Sequence, residues 1–132
     1  MPIFQLTDSL SVAAQIAPQD IPNLAAQGFT VLVCNRPDGE VPGQATMDEI
    51  EAACHAADLL FVRYPVDAMN FPGPDIEGLG ALFDDPGQSV LAYCRTGTRC
   101  ANLWVTSLSG EAQTAAVQTA REIGFDLSLV RA

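Results

Sequence analysis

The chain has 132 residues, nearly half of them apolar, which suits one domain over residues 1–132 with its own core. Six arginines, no lysine and sixteen acids leave a net charge of −10, a surface that repels nucleic acid and anionic lipid and excludes both as partners. No apolar run approaches the roughly 18 residues of a bilayer-spanning helix, and MPIFQLTDSL lacks a basic, apolar leader pattern, so a cytosolic location is expected.

Residues 3–6 and 10–15 read as a small opening strand pair. Residues 18–27 read as a helix, with Pro18 in its first turn and Gly28 as its stop. FTVLVCN (29–35) is an uncharged, β-branched run expected as a buried strand. Two prolines and two glycines make 35–44 a loop. Thr46 and Glu49 form a capping box that opens a helix running to about Ala57. LLFVRYPV (59–66) is the next strand, followed by a loop over 67–75 and a short helix over 75–84 that DDPG ends. SVLAYC (89–94) is another strand, and 99–108 and 111–123 are helices, the second stopped by Gly124. Strands alternating with helices predict an α/β fold with a central, mainly parallel sheet flanked by helices. Ligands of such sheets bind beyond the carboxyl ends of the strands, which here release the loops 35–44, 67–74 and 94–99.

The four cysteines are Cys34, Cys54, Cys94 and Cys100, and His55 is the sole histidine. Zinc-ligand spacing is absent, and neither a metal nor a cofactor is expected. Cys34 and Cys54 lie in apolar or helical segments and read as buried small hydrophobes. Nothing in the local sequence orients His55 for chemistry.

Cys94 differs. It ends a strand, Arg95-Thr96-Gly97-Thr98-Arg99 turns the chain, and a helix follows. Gly97 permits a tight turn, loop N–H groups can point inward, and the helix N-terminus adds partial positive charge. Residues 95–100 thus read as an anion-binding loop, and its surroundings favour the Cys94 thiolate. No acid lies between residues 86 and 110 to oppose Arg95 and Arg99. Four residues separate Cys94 from Arg99, whereas cysteine phosphatases use a loop one residue longer. The shorter ring looks like the active loops of rhodanese sulfurtransferases, which carry a single persulfide sulfur. Either chemistry is covalent catalysis by an activated thiolate.

QIAPQD (15–20), NRPDGE (35–40), YPV (64–66), LAYCRTGTRCANLW (91–104) and the closing GFDLSLV together resemble the beta-lactamase-hydrolase-like family, a phosphatase-like domain also described as a sulfur transferase. The resemblance covers about residues 9–130. It implies a fold similar to protein-tyrosine and dual-specificity phosphatases, with Cys94 as nucleophile and Arg99 as the anion-binding arginine. It also implies sulfur transfer from a small-molecule persulfide, thiosulfate or another anion. The partners it implies are a persulfide dioxygenase or a sulfide:quinone oxidoreductase. The position after Arg99 is typically serine in this family, and here it is Cys100. A thiol supports a thiolate more weakly than a hydroxyl does. Cys100 is therefore either a plain substitution, held apart from Cys94 by the helix, or a thiol that resolves oxidised Cys94 as a disulfide.

Three residues on the other loops complete the candidates. Arg36 either binds a substrate carboxylate or braces its loop, with Asp38 and Glu40 placed to brace Arg36 or Arg99. Asp67 is the general acid if the protein is a phosphatase, and otherwise a capping residue. Trp104, Phe71 and Phe83 read as core or pocket wall. The leading expectation is a sulfurtransferase with a Cys94 persulfide. The alternatives are a cysteine phosphatase using Cys94, Arg99 and Asp67, and a non-catalytic anion- or partner-binding module.

Overall fold

The structure is a computed structural model that describes residues 2–130. Five strands form one sheet: β1 (Ile3–Gln5), β2 (Leu10–Ala13), β3 (Val31–Cys34), β4 (Leu60–Arg63) and β5 (Val90–Tyr93), in the order β1-β2-β5-β3-β4. β1 pairs antiparallel with β2, and every other pairing is parallel. Five α-helices accompany it: α1 (Ile21–Ala26), α2 (Met47–Ala56), α3 (Ile76–Phe83), α4 (Thr98–Thr106) and α5 (Gly110–Ile123). The mainly parallel α/β arrangement matches the alternation in the sequence.

The period of two along each strand sorts its side chains between two cores. Val31, Val33, Val90, Ala92 and Val12 face one side, where Leu79, Phe83, Leu103 and Ala116 of α3, α4 and α5 cover them. Leu32, Cys34, Leu91 and Tyr93 face the other, under Ile21 and Leu24 of α1 and Ile50 and Cys54 of α2. β3 and β5 are buried along their whole lengths, which is why their sequences show no polar alternation. Each fully buried Val or Leu side chain contributes on the order of 2 kcal/mol of transfer free energy.

The helix expected over 18–27 is divided. Pro18–Asp20 form a single 3₁₀ turn, and α1 follows it. Pro22 has no N–H to bond the Pro18 carbonyl in α-helical register, while the Ile21 N–H bonds that carbonyl instead. The strands are also shorter than their apolar runs, because parallel pairing ends where the loops diverge. The capping box of α2 is formed: Thr46 Oγ1 accepts from the Glu49 N–H at 3.2 Å, and Glu49 Oε1 accepts from the Thr46 N–H at 3.1 Å. Trp104, Phe71 and Phe83 are core residues. His55 is exposed on α2. No helix among the described residues is long and apolar enough to cross a membrane.

Candidate active site

β5 delivers Cys94 to the centre of the sheet's carboxyl end, where the Cys94 N–H donates to the Ala13 carbonyl at 3.3 Å. The chain turns at Gly97, whose φ of +90° lies in the left-handed region. A side chain there would also crowd Phe125, since a Cβ would sit 3.3 Å from its ring. The turn aims the Gly97 N–H at Cys94 Sγ, 3.1 Å away. Cys94 thus forms the floor of a loop closed by the first turn of α4, which starts at Thr98, one residue earlier than its sequence suggests.

These contacts set the proton on the sulfur. A hydrogen bond from the Cys100 thiol lowers the Cys94 pKa most; burial opposes it, and the N–H groups of Cys100, Thr96 and Gly97 add to the lowering. The result is a pKa near 5. Cys100 moves the other way: burial, then the neighbouring Cys94, raises its pKa. The pair therefore holds one thiolate and one thiol at neutral pH.

The other cysteines are different in kind. Burial raises the Cys34 pKa against a hydrogen bond from Tyr93, and burial pushes Cys54 up to about 11. Alkylation by iodoacetamide is therefore expected at Cys94 alone. Its rate is constant from pH 7 to 6 and halves near pH 5, as protonation removes the nucleophile. Peptide mass mapping across that range checks this, and a rate that rises only above pH 8 refutes the thiolate.

Arg99 emerges from the first turn of α4 and faces Glu40, on the loop after β3. Arg99 Nη1 donates to Glu40 Oε2 at 2.9 Å and to the Val66 carbonyl at 2.9 Å, and Nη2 donates to Glu40 Oε1 at 2.7 Å. Three of the five guanidinium N–H groups are thereby used. The Nε–H and one Nη2 hydrogen remain, a side-on pair suited to two oxygens of one anion. Glu40 also takes Arg36 Nε at 2.8 Å, while Arg36 Nη1 donates to Gln15 Oε1 at 3.0 Å. Hydrogen bonding to Arg99, then Arg36, holds the Glu40 pKa near 2 against partial burial. An acid distant in sequence thus opposes the loop arginine, although none lies near it along the chain.

The remaining candidates divide. Arg36 is 3% exposed, so it braces the loop and does not face a substrate carboxylate. Asp38 braces neither arginine. Its Oδ1 accepts from the Met47 N–H at 2.9 Å and so caps α2. Asp67 stands on the exposed rim, where Oδ1 accepts from the N–H groups of Met69 at 2.8 Å and Asn70 at 3.0 Å, a turn anchor. Arg95 is exposed, and Thr96 Oγ1 donates to Thr98 Oγ1 at 2.9 Å along the loop's outer edge. No group of three potential metal ligands occurs among the described residues.

Two residues of this region carry no role in the sequence reading. Gln15 secures Arg36, and Asn102 is fully buried on α4. Asn102 Nδ2 donates to the carbonyls of Thr98 and Asp126, each at 2.8 Å, and Oδ1 accepts from the Leu129 N–H at 3.0 Å. An amide inside the apolar stretch ANLWV is the signal that marks it.

The family described as beta-lactamase hydrolase-like protein, phosphatase-like domain, matches residues 3–123. The chain belongs to this family. As a phosphatase-like domain it is 32% identical, over 96% of its length, to a beta-lactamase hydrolase-like protein of Agrobacterium fabrum, of which it spans only 30%. A Neisseria meningitidis protein provisionally described as a phosphatase shares 31% identity and a TM-score of 0.73, over 92% of this chain and 89% of that one. PTPMT1 superposes with a TM-score of 0.69 at 16% identity, covering 92% and 82% of the two chains, a likeness of fold. The domain therefore has the protein-tyrosine and dual-specificity phosphatase-like fold that the resemblance implies.

Proposed function

We propose that the protein is a cysteine-dependent, phosphatase-like hydrolase of small anionic esters. The carrying observation is Cys94 Sγ, its pKa lowered to about 5, lying under the Gly97 N–H and beside the unused side-on pair of Arg99. The family and the Neisseria relative weight this reading above the sulfur transfer that the sequence puts first. Cys94 Sγ attacks phosphorus, an S–P bond forms, and the ester P–O bond breaks with its electrons leaving on oxygen. The leaving oxygen takes a proton. Water then cleaves the S–P bond, releasing phosphate and restoring the thiolate. The loop N–H groups and Arg99 hold the oxygens as charge develops on them.

Sulfur transfer is the second reading, favoured by two observations. The ring between Cys94 and Arg99 is short, and Asp67 is engaged as a turn anchor. Here the thiolate attacks the outer sulfur of a persulfide and releases the donor thiolate. A thiol or sulfite then takes that sulfur from Cys94. An enzyme of sulfide or persulfide oxidation would supply the donor. Four free cysteines support a reducing, cytosolic setting for either reaction.

The test is direct. The protein is given an aryl phosphate and, separately, thiosulfate or glutathione persulfide. Phosphate release that orthovanadate blocks supports the hydrolase. A gain of one sulfur on Cys94, removed by cyanide as thiocyanate, with no phosphate release, replaces it with sulfur transfer. Asp67→Asn sharpens the distinction. It lowers kcat for an alkyl phosphate by about 10²-fold if Asp67 protonates the leaving oxygen. It leaves sulfur transfer unchanged.

A further inference from the structure

The arginines of the site are used very differently. Arg36 and Arg99 share Glu40, and Arg63, outside the site, takes Asp48 and Glu51. Arg95 directly follows Cys94, is exposed, and pairs with no carboxylate among the described residues. Its backbone is nonetheless held. The Gln15 N–H donates to the Arg95 carbonyl at 3.4 Å, and the next residue, Thr96, accepts from the Thr98 N–H through Oγ1 at 3.4 Å. A fixed backbone thus carries a free guanidinium at the edge of the anion loop. We propose that Arg95 is a specificity-determining residue that binds a second anionic group, a carboxylate or phosphate carried by the substrate a few bonds from the reacting one.

The charges around the site say why a second group is expected there. The inner network holds two guanidinium groups against one carboxylate and the Cys94 thiolate, so it is neutral before a substrate enters. The whole chain carries −10, a field that repels any anion and repels a doubly charged one more. Arg95 is the loop charge that nothing cancels. The rim is also polar from side to side. Gln15 follows β2, so the bond to Gln15 sets Arg95 on the β2 side of β5, while Asp67 follows β4 at the other end of the sheet's parallel part. A substrate whose reacting group sits over Cys94 therefore has its second anion drawn toward β2 and kept from β4. An arginine fork grips two oxygens of a carboxylate or phosphate at once, which a single ammonium cannot do. Because the contact is exposed, the gain is modest, about 5-fold in affinity.

This inference rests on the proposed function, since it names the substrate class of the same loop. The test reads occupancy of the loop without turnover, as protection of Cys94 from iodoacetamide at pH 7. The probes are phosphonoacetate and phosphonoacetamide, which match in shape and differ by one carboxylate. Wild type is expected to be protected by phosphonoacetate at about 5-fold lower concentration than by the amide, and 0.5 M salt should shrink that preference. Arg95→Ala brings the two probes together, Arg95→Lys keeps part of the difference, and Arg95→Glu reverses it. The ratio is the decisive quantity, because a merely structural arginine would shift both probes alike. Equal protection of wild type by the two probes overturns this inference alone, and so does a preference that survives in Arg95→Ala. A reactive Cys94 that neither probe protects overturns the proposed function along with it.

Discussion

Cys94→Ser is expected to lower turnover by on the order of 10⁴-fold or more while leaving the fold and anion binding in place. The change substitutes oxygen for sulfur at a site whose N–H donors and Arg99 remain. A serine hydroxyl stays protonated in a setting that makes the thiol a thiolate, because its intrinsic acidity is far lower. The nucleophile is lost and the cradle is not. Steady-state kinetics on the aryl phosphate and on thiosulfate read the first effect. Calorimetric titration with phosphate or sulfate reads the second. Thermal stability at neutral pH should hold or fall slightly, since the lowered Cys94 pKa means that the folded site favours the thiolate that the variant lacks. A serine variant that keeps a tenth of wild-type turnover would show that Cys94 forms no covalent intermediate.

The second large effect belongs to Glu40. Its carboxylate joins the buried Arg36 to Arg99, so Glu40→Gln leaves two guanidinium groups facing an amide. The shift of its pKa from 4.5 to about 2 sets a ceiling of about 3 kcal/mol on its pH-dependent contribution. Its side chain is a quarter exposed, and solvent screening reduces this to about 2 kcal/mol, or about 7 °C in Tm for a chain of this length. The sign follows from the lowered pKa: the contribution is complete above about pH 4.5 and is lost as pH falls toward 2. Denaturant titrations between pH 6 and 2.5 should show wild type losing stability steeply below pH 4.5 and Glu40→Gln losing much less. Equal slopes would mean that the ion pairs stabilise nothing. Activity should fall too, because Arg99 loses the partner that fixes its orientation.

Much of this was legible in residues 89–104. A β-branched apolar run, a glycine and two arginines declare a strand, a tight turn and an anion loop without any long-range information. The capping box at Thr46 and Glu49 is equally local. What the sequence hides depends on distance. Glu40 and Arg99 are far apart along the chain, and only the parallel pairing of β3 with β5 brings their loops together. Asp38 and Glu40 look equivalent in NRPDGE, yet the turn sends one to α2 and the other to the arginines. Weak S–H donation is a property of thiols in general, so the sequence alone marks Cys100 as a weak partner. Here burial and a full negative charge opposite make the contact the largest influence on Cys94. The break at Pro22 was available from the sequence and is a matter of proline chemistry alone.

The Arg36–Glu40–Arg99 chain, with the bond from Arg99 to the Val66 carbonyl, ties together the loops that follow β3, β4 and β5. On the proposed function, an arriving anion therefore meets a guanidinium that has already given up its freedom to rotate. The entropy of ordering that side chain is charged to folding and not to each encounter. The free energy of contact is then available to the transition state, where preorganised donors are most effective. The same economy limits variation: a replacement that loosens any one of these loops also loosens the grip of the other two on the reacting group.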